Sequence, residues 1–410
     1  MNINGNGIEF ISGGVVAAKG FRATGIHAGI RKNKTKKDLA LIMADKPASA
    51  AAVYTRNLVK GAPLTVTAEH LKNGRAQAII CNSGNANTCN ADGIDIAEAT
   101  CKLLAEAAGI AADDVIVAST GVIGQPLSIE PFKKGIPILV EALGADSAGA
   151  NEAIMTTDTV IKEVAVKFTL GGKECHIGGI AKGSGMIHPN MATMLVFVTT
   201  DAAISPAILS AVVRKDVVTS FNMVSVDGDT STNDMLAVMA SGEAGNAEIT
   251  ELNEDAEQFA QAFGVVTRAL CRKIAADGEG ATKLLECKVS GARNDETART
   301  VAKSIITSSL LKTAMFGADA NWGRVLCAIG YAGADVDIAK VGVTFRSEAG
   351  SVEVCVSGHG VDFSEELAKK VLSEKEIIID VTLAEGEGKA VAWGCDLTYE
   401  YVKINGDYRT

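Results

Sequence analysis

The chain has 410 residues, of which 47% are apolar, 21% charged and 4% aromatic. That length predicts two or three domains or one large layered fold, and the composition excludes disordered, fibrous and small disulfide-rich classes. A net charge of −10 argues against broad nucleic-acid binding, because phosphate contact needs a basic surface.

In chain order, the first seven residues lack a charged leader followed by an apolar stretch, so no signal peptide is expected. The basic run Arg31–Lys37 has no aromatic interleaving and reads as a solvated loop. Leu39–Met43 and Ala51–Tyr54 are strand-like runs separated by a polar break. Ala76–Cys81 predicts a buried strand ended by the turn Asn82–Asn87. Asp92–Ala108 predicts an amphipathic helix with Ile96, Ala99, Leu103, Leu104 and Ala107 on its buried face. Asp114–Ala118 predicts a short strand running into the turn Ser119–Gly124. Strands are expected at 164–170 and 195–198, with a polar, glycine-bearing segment at 181–194 between them. Helices are expected at about 205–219, 255–276 and 298–312, and strands at 284–289, 341–346, 352–356, 376–382 and 391–402. Interleaved helices and strands without a low-complexity linker or repeat fit an α/β or α+β layered fold. Gly183–Thr200 contains His188, Pro189 and Asn190 and makes a poor membrane span.

Conventional catalytic and metal signals are weak. The nine cysteines form no C-x-x-C pair and are irregularly spaced, so neither a disulfide framework nor a zinc site is expected. They suit a reducing compartment, hence a cytoplasmic protein. The five histidines are isolated, and no metal site is expected. Asp227–Asp234 has a passing likeness to a calcium loop, but its twelfth position is Val238 instead of Glu, so a turn that orients other residues is the better reading.

The segment Ala181–Leu195 is more informative. A lysine, two glycines and a Pro-bounded turn lead to Thr193 and an apolar strand. A threonine hydroxyl is a poor nucleophile unless its own α-amine is freed to act as base. That amine has a reference pKa of about 7.7–8.0, which suits proton transfer near neutrality. Cleavage before Thr193 would free it, and Ala192 leaves the preceding carbonyl accessible. Residues alone leave two readings open, and the commoner is a β-branched residue opening a strand.

Gly185-Met-Ile-His-Pro-Asn-Met-Ala-Thr-Met-Leu195 resembles the autoprocessing site of the glutamate N-acetyltransferase (ornithine acetyltransferase, ArgJ) family. Seven further family-like blocks follow the family's order: Cys81–Asn87, Ser119–Gly124, Met155–Thr159, Asp227–Asp234, Asp277–Lys283, Phe316–Arg324 and Tyr401–Thr410. One small departure is Arg409, where another Thr or similar residue is expected.

The resemblance implies self-cleavage between Ala192 and Thr193, giving an α chain of residues 1–192 and a β chain of residues 193–410. Thr193 would be the nucleophile that takes acetyl from N-acetyl-L-ornithine and passes it to L-glutamate by a ping-pong route in arginine biosynthesis. Thr120 and Gly121 match the oxyanion-hole pair. Thr159, Lys182, Thr193, Glu279, Asn405 and Thr410 match substrate-binding positions, with Lys182 suited to a carboxylate and Glu279 to an ammonium group. The implied fold has sheets sandwiched between helices, of the ArgJ/DmpA-like kind related to N-terminal nucleophile hydrolases. The implied assembly is a heterotetramer of two α and two β chains, with no cofactor, metal, nucleic acid or membrane partner. Some members also use acetyl-CoA, and no residue here decides that. Two other readings stand beside this one: a related autoprocessed hydrolase with water as acceptor, and a metabolite-binding protein with an inert Thr193. Residues 1–192 carry 19 basic and 17 acidic side chains (+2), and residues 193–410 carry 20 and 32 (−12).

Overall fold

The computed structural model describes residues 7–33, 35–188 and 194–406. The chain forms two compact units, as its length predicts. The first comprises Met1–Gly183, Pro189–Phe221 and Thr230–Leu270, and the second Ser184–His188, Asn222–Asp229 and Cys271–Thr410. Both units draw on chain from either side of residue 192, so they are a different division from the two chains that the family resemblance implies.

The first unit is built on a nine-stranded sheet. Its strands are β1 (Glu9–Ile11), β2 (Phe21–Ile26), β3 (Leu39–Tyr54), β4 (Arg75–Asn82), β5 (Val115–Ser119), β6 (Lys162–Leu170), β7 (Lys173–Lys182), β8 (Leu195–Thr200) and β9 (Met235–Ala240). They lie in the order β1-β6-β7-β8-β9-β3-β4-β5, with β2 paired to β3. The period-2 rule of strands sorts the side chains. Leu39, Leu41 and Met43 join Ala78, Ile80, Val115 and Val117 against the helices Gly93–Ala108 and Glu130–Glu141. Their neighbours Ala40, Ile42 and Ala44 face the other way, with Ile79, Cys81, Phe197, Ala237 and the helix Ser147–Ile154. Full burial of each such Leu, Ile or Phe contributes roughly 1.5–3 kcal/mol. The sheet therefore has helices on both faces, and every residue of the parallel pair β8–β9 is buried. Parallel strands covered on both faces read as continuous apolar runs, which the run Met235–Met239 is.

Three expectations change in this unit. The two runs at 39–43 and 51–54 belong to one strand, β3, whose pairing with β4 shifts register between Met43 and Ala48 at the polar break. The helix Gly93–Ala108 buries Gly93, Ala97, Thr100, Cys101 and Leu104, so the predicted face is displaced by about one residue. Small residues let the helix approach the sheet closely, which outweighs the larger Ile96 and Leu103 in choosing the face. The strand β7 went unpredicted because Lys173-Glu-Cys-His-Ile-Gly-Gly-Ile-Ala-Lys182 is polar and glycine-bearing.

The second unit holds a six-stranded sheet of β10 (Leu284–Ala292), β11 (Gly342–Ser347), β12 (Gly350–Val356), β13 (His359–Gly360), β14 (Glu376–Thr382) and β15 (Gly388–Cys395). Its order is β13-β12-β11-β14-β10-β15, with β10 and β14 parallel. The helix Asp295–Thr307 packs on β10 and β15, and Glu365–Leu372 on β11 and β12. The single helix expected at 298–312 is two helices, Asp295–Thr307 and Ser309–Phe316. The strand expected at 391–402 is β15 followed by the helix Tyr399–Asn405. Asp396 ends the strand by accepting from the backbone N–H groups of Thr282 (2.8 Å) and Lys283 (2.9 Å). Among the described residues no helix is long and apolar enough to cross a membrane.

Candidate active site

In the first unit, β4 and β5 run parallel, with Asn82 opposite Ser119, so both strands release their loops at the same level. The loops are tied together at once. Ser119 Oγ donates to Asn82 Oδ1 at 2.6 Å, and the Thr120 N–H donates to Asn82 O at 3.0 Å. Ala86 N–H reaches Val122 O at 3.0 Å, and Val122 N–H reaches Gly84 O at 3.4 Å. Gly121 lies between these ties with φ +132°, and a Cβ there would stand 2.4 Å from the Gly84 carbonyl carbon. Only glycine satisfies both the backbone angle and that approach. Thr120 is buried, and among the described residues nothing accepts from the Gly121 N–H. A fixed turn thus presents a hydroxyl and an uncommitted backbone donor, the pairing that stabilises a developing oxyanion.

Lys182 ends β7, opposite Leu195 of β8, and is buried. The next residue, Gly183, donates its N–H to Asp158 Oδ1 at 2.7 Å. Lys162, with no exposed side-chain surface, gives its Nζ to the same oxygen at 2.6 Å, and Thr156 N–H reaches Oδ2 at 3.0 Å. Burial alone would raise the Asp158 pKa. The charges of Lys182 and Lys162, with these hydrogen bonds, overcome it and hold the carboxyl at about 2. Thr159 follows directly and is exposed. Asp234, at the mouth of β9, stands the other way: burial pushes it well above the usual carboxylate range, only partly offset by hydrogen bonds and the Lys182 charge.

In the second unit, Glu279 is buried. Its backbone N–H donates to Ser184 O at 2.9 Å, and Ser184 Oγ donates to Asp277 O at 2.6 Å. The Glu279 carboxylate lies over Gly185 so closely that a Cβ there would come within 2.3 Å of it. Asn405 Nδ2 donates to Glu279 Oε2 at 2.7 Å. The C-terminal helix is held there by Thr398 Oγ1, which donates to Gly280 O at 2.7 Å. Asp227 accepts from Met186 N–H at 2.6 Å and Ile187 N–H at 2.9 Å, and so acts as the orienting turn that its sequence suggests. Met186 has φ +56°, a left-handed conformation unusual for a side-chain-bearing residue. Desolvation, with the negative charges of Asp227 and Glu279, pushes the Tyr401 phenol up.

Ala192, Thr193 and Thr410 lie outside the described residues. The chain just after Thr193 is well fixed: Met194 O accepts from Met235 N–H at 2.9 Å, and β8 begins at Leu195. Thr120, Gly121, Thr159 and Lys182 fall in the first unit, Glu279 and Asn405 in the second. Sequence reasoning did not single out Asn82, Asp158, Lys162 or Asn233, all of them buried. The available signal was polar residues packed densely in turns at strand ends.

The ArgJ family model matches residues 22–410. A protein from Caldanaerobacter subterraneus subsp. tengcongensis is 50% identical over 405 residues, covering 98% of this chain and 100% of that protein. One from Bacillus licheniformis is 47% identical over 412 residues, covering 100% of each. Both are described as arginine biosynthesis bifunctional protein ArgJ. The solved ornithine acetyltransferase of Mycobacterium tuberculosis, complexed with ornithine, is 38% identical, covers 45% of this chain and 100% of that one, and has a TM-score of 0.42.

Proposed function

This chain belongs to the ArgJ family, and from that premise we propose that it is a self-cleaving glutamate N-acetyltransferase acting in arginine biosynthesis. Cleavage between Ala192 and Thr193 frees the Thr193 α-amine. The amine takes the proton of the Thr193 hydroxyl as its oxygen attacks the acetyl carbonyl of N-acetyl-L-ornithine. The Thr120 hydroxyl and Gly121 N–H receive the oxyanion. The amide C–N bond then breaks, the proton passes to the leaving amine, and ornithine departs from an acetyl-Thr193 ester. L-Glutamate enters, its α-amine attacks the ester, and N-acetyl-L-glutamate leaves with the hydroxyl restored. One nucleophile alternating between two amines is ping-pong chemistry. Lys182 binds the substrate α-carboxylate, and Thr159 and Thr410 also take part in substrate binding. Glu279, aligned by Asn405, binds the ornithine ammonium.

The observation that carries this reading is the Ser119–Gly124 turn within a family match that spans residues 22–410: its glycine N–H is uncommitted among the described residues. The relatives' description as bifunctional supports a second donor, acetyl-CoA. We place the enzyme in the cytoplasm as a heterotetramer of two α and two β chains.

The test pairs intact mass with an acetyl-transfer assay. Wild-type protein should run as two chains in place of the 42.3 kDa precursor. Without glutamate it should release no more than one ornithine per active site from N-acetyl-L-ornithine, and it should turn over only when glutamate is supplied. Thr193→Ala should abolish both cleavage and transfer, since one hydroxyl serves both. Cleavage that persists in that variant would sink the assignment, and glutamate-independent acetate release would make the protein a hydrolase. Acetyl-CoA as donor in a parallel arm decides the second activity.

A further inference from the structure

Asn233 stands just before β9, buried in the first unit. A carboxamide has two N–H donors and two acceptor lone pairs, and here all four are engaged. Nδ2 donates to Ala86 O at 2.6 Å and to Ser119 O at 3.0 Å. Oδ1 accepts from Thr88 Oγ1 at 2.7 Å and from Thr232 Oγ1 at 2.5 Å. The pattern fixes the amide's orientation, because turning it over would set its oxygen against two carbonyls.

One of those four bonds has a particular consequence. The Ser119 carbonyl and the Thr120 N–H belong to the same peptide plane. That plane is gripped at both ends, its oxygen by Asn233 and its N–H by Asn82 O at 3.0 Å. The next backbone donor along the chain is the Gly121 N–H, from which no described residue accepts. Rotation of the 119–120 plane would swing both that N–H and the Thr120 hydroxyl. Asn233 also holds Ala86, and Ala86 N–H reaches back to Val122 O on the far side of Gly121. The side chain therefore braces the turn from both flanks, from a segment more than a hundred residues away.

We propose that Asn233 is a positioning residue that aims the Thr120 and Gly121 donors at the reacting carbonyl oxygen. The inference rests on the acetyl-transfer reading and deepens it. A misplacement of about 1 Å in such a site costs about 10²-fold in rate, as does loss of one oxyanion donor at about 10²–10³-fold. Substrate binding by the other residues is untouched, so the loss falls on kcat. A role confined to stability would lower the melting temperature and leave kcat per active site unchanged.

The experiment measures kcat and KM for N-acetyl-L-ornithine, with glutamate as acceptor, in wild type, Asn233→Ala and Thr88→Val. Rates are expressed per processed chain, counted by intact mass. Asn233→Ala should lose about 100-fold in kcat with KM within about threefold. Thr88→Val removes one hydroxyl that holds Oδ1 but leaves both amide donors in place. It should lose about 3–10-fold in kcat, an order of magnitude less than a donor's full removal. A processed Asn233→Ala enzyme with wild-type kcat overturns the proposal. Where Asn233→Ala yields no processed protein, Thr88→Val decides, and a kcat equal to wild type overturns it. A wild-type arm without transfer activity would instead strike the acetyl-transfer reading beneath it, and the two failures are thereby told apart.

Discussion

A carboxylate buried between lysines stabilises a fold only while it stays ionised. Asp158 meets that condition through Lys162 Nζ at 2.6 Å, the Gly183 N–H at 2.7 Å and the nearby charge of Lys182. Taking either partner of such a pair away leaves an uncompensated buried charge, at a cost of about 3–5 kcal/mol. The folded pKa of about 2 lies below the unfolded value of about 3.9. Its stabilisation is therefore complete above about pH 5 and is lost progressively as pH falls through 2. Asp158→Asn should be less stable than wild type at pH 7, and the gap should narrow by about 2 kcal/mol between pH 4 and pH 2. Urea unfolding at several pH values measures this, and a gap that stays constant across the window would refute it. Asp234 shows the opposite arrangement in the same unit. With little to balance its burial it is pushed up, toward the neutral form. The Lys182 charge acts on both acids, and Asp158 has the Lys162 ammonium as well.

At the scale of elements, a single serine decides where one helix becomes two. Ser308 has non-helical backbone angles, φ −67° and ψ 109°, and its side chain accepts from Leu311 N–H at 3.3 Å. It is the N-cap of Ser309–Phe316, so Ser308→Ala should cost about 1 kcal/mol in chemical denaturation, while Ser308→Gly should cost only a few tenths. Equal losses in the two variants would remove the cap from the explanation. Such caps are poorly legible in advance, because the apolar pattern of 298–312 continues through Ser308. Elements with an unbroken local signal were legible: Glu376–Thr382 is a strand over the residues expected. β7 was not, since what makes it a strand is pairing with β6 and β8 and not its own sequence. The site divides the same way. Gly121 sits in a turn that Gly and Thr announce, whereas Asn233 serves carbonyls 114 and 147 positions away, which no local pattern reports.

At the scale of the molecule, proposed cleavage at Ala192–Thr193 has a topological consequence. The strands β8 and β9 would belong to the second chain and their flanking strands to the first. β8 pairs with β7 over Ile177–Lys182, and β9 pairs with β3 over Ser49–Tyr54. The second chain's strand pair is thus inserted between two strands of the first, and Leu195, Phe197, Leu236 and Val238 are buried there. Separating the chains means breaking two ladders and exposing the sheet's centre, which is unfolding by another name. The charge difference of +2 against −12 also draws the chains together. Its share can be measured, because 1 M salt shortens the screening length to about 3 Å and leaves apolar burial in force. The processed protein should elute as one species containing both chains equally in 1 M NaCl. The chains should part only in denaturant, together with loss of the far-ultraviolet circular dichroism signal. Chains that separate in salt with their secondary structure intact would mean that charge, and not the shared sheet, joins them.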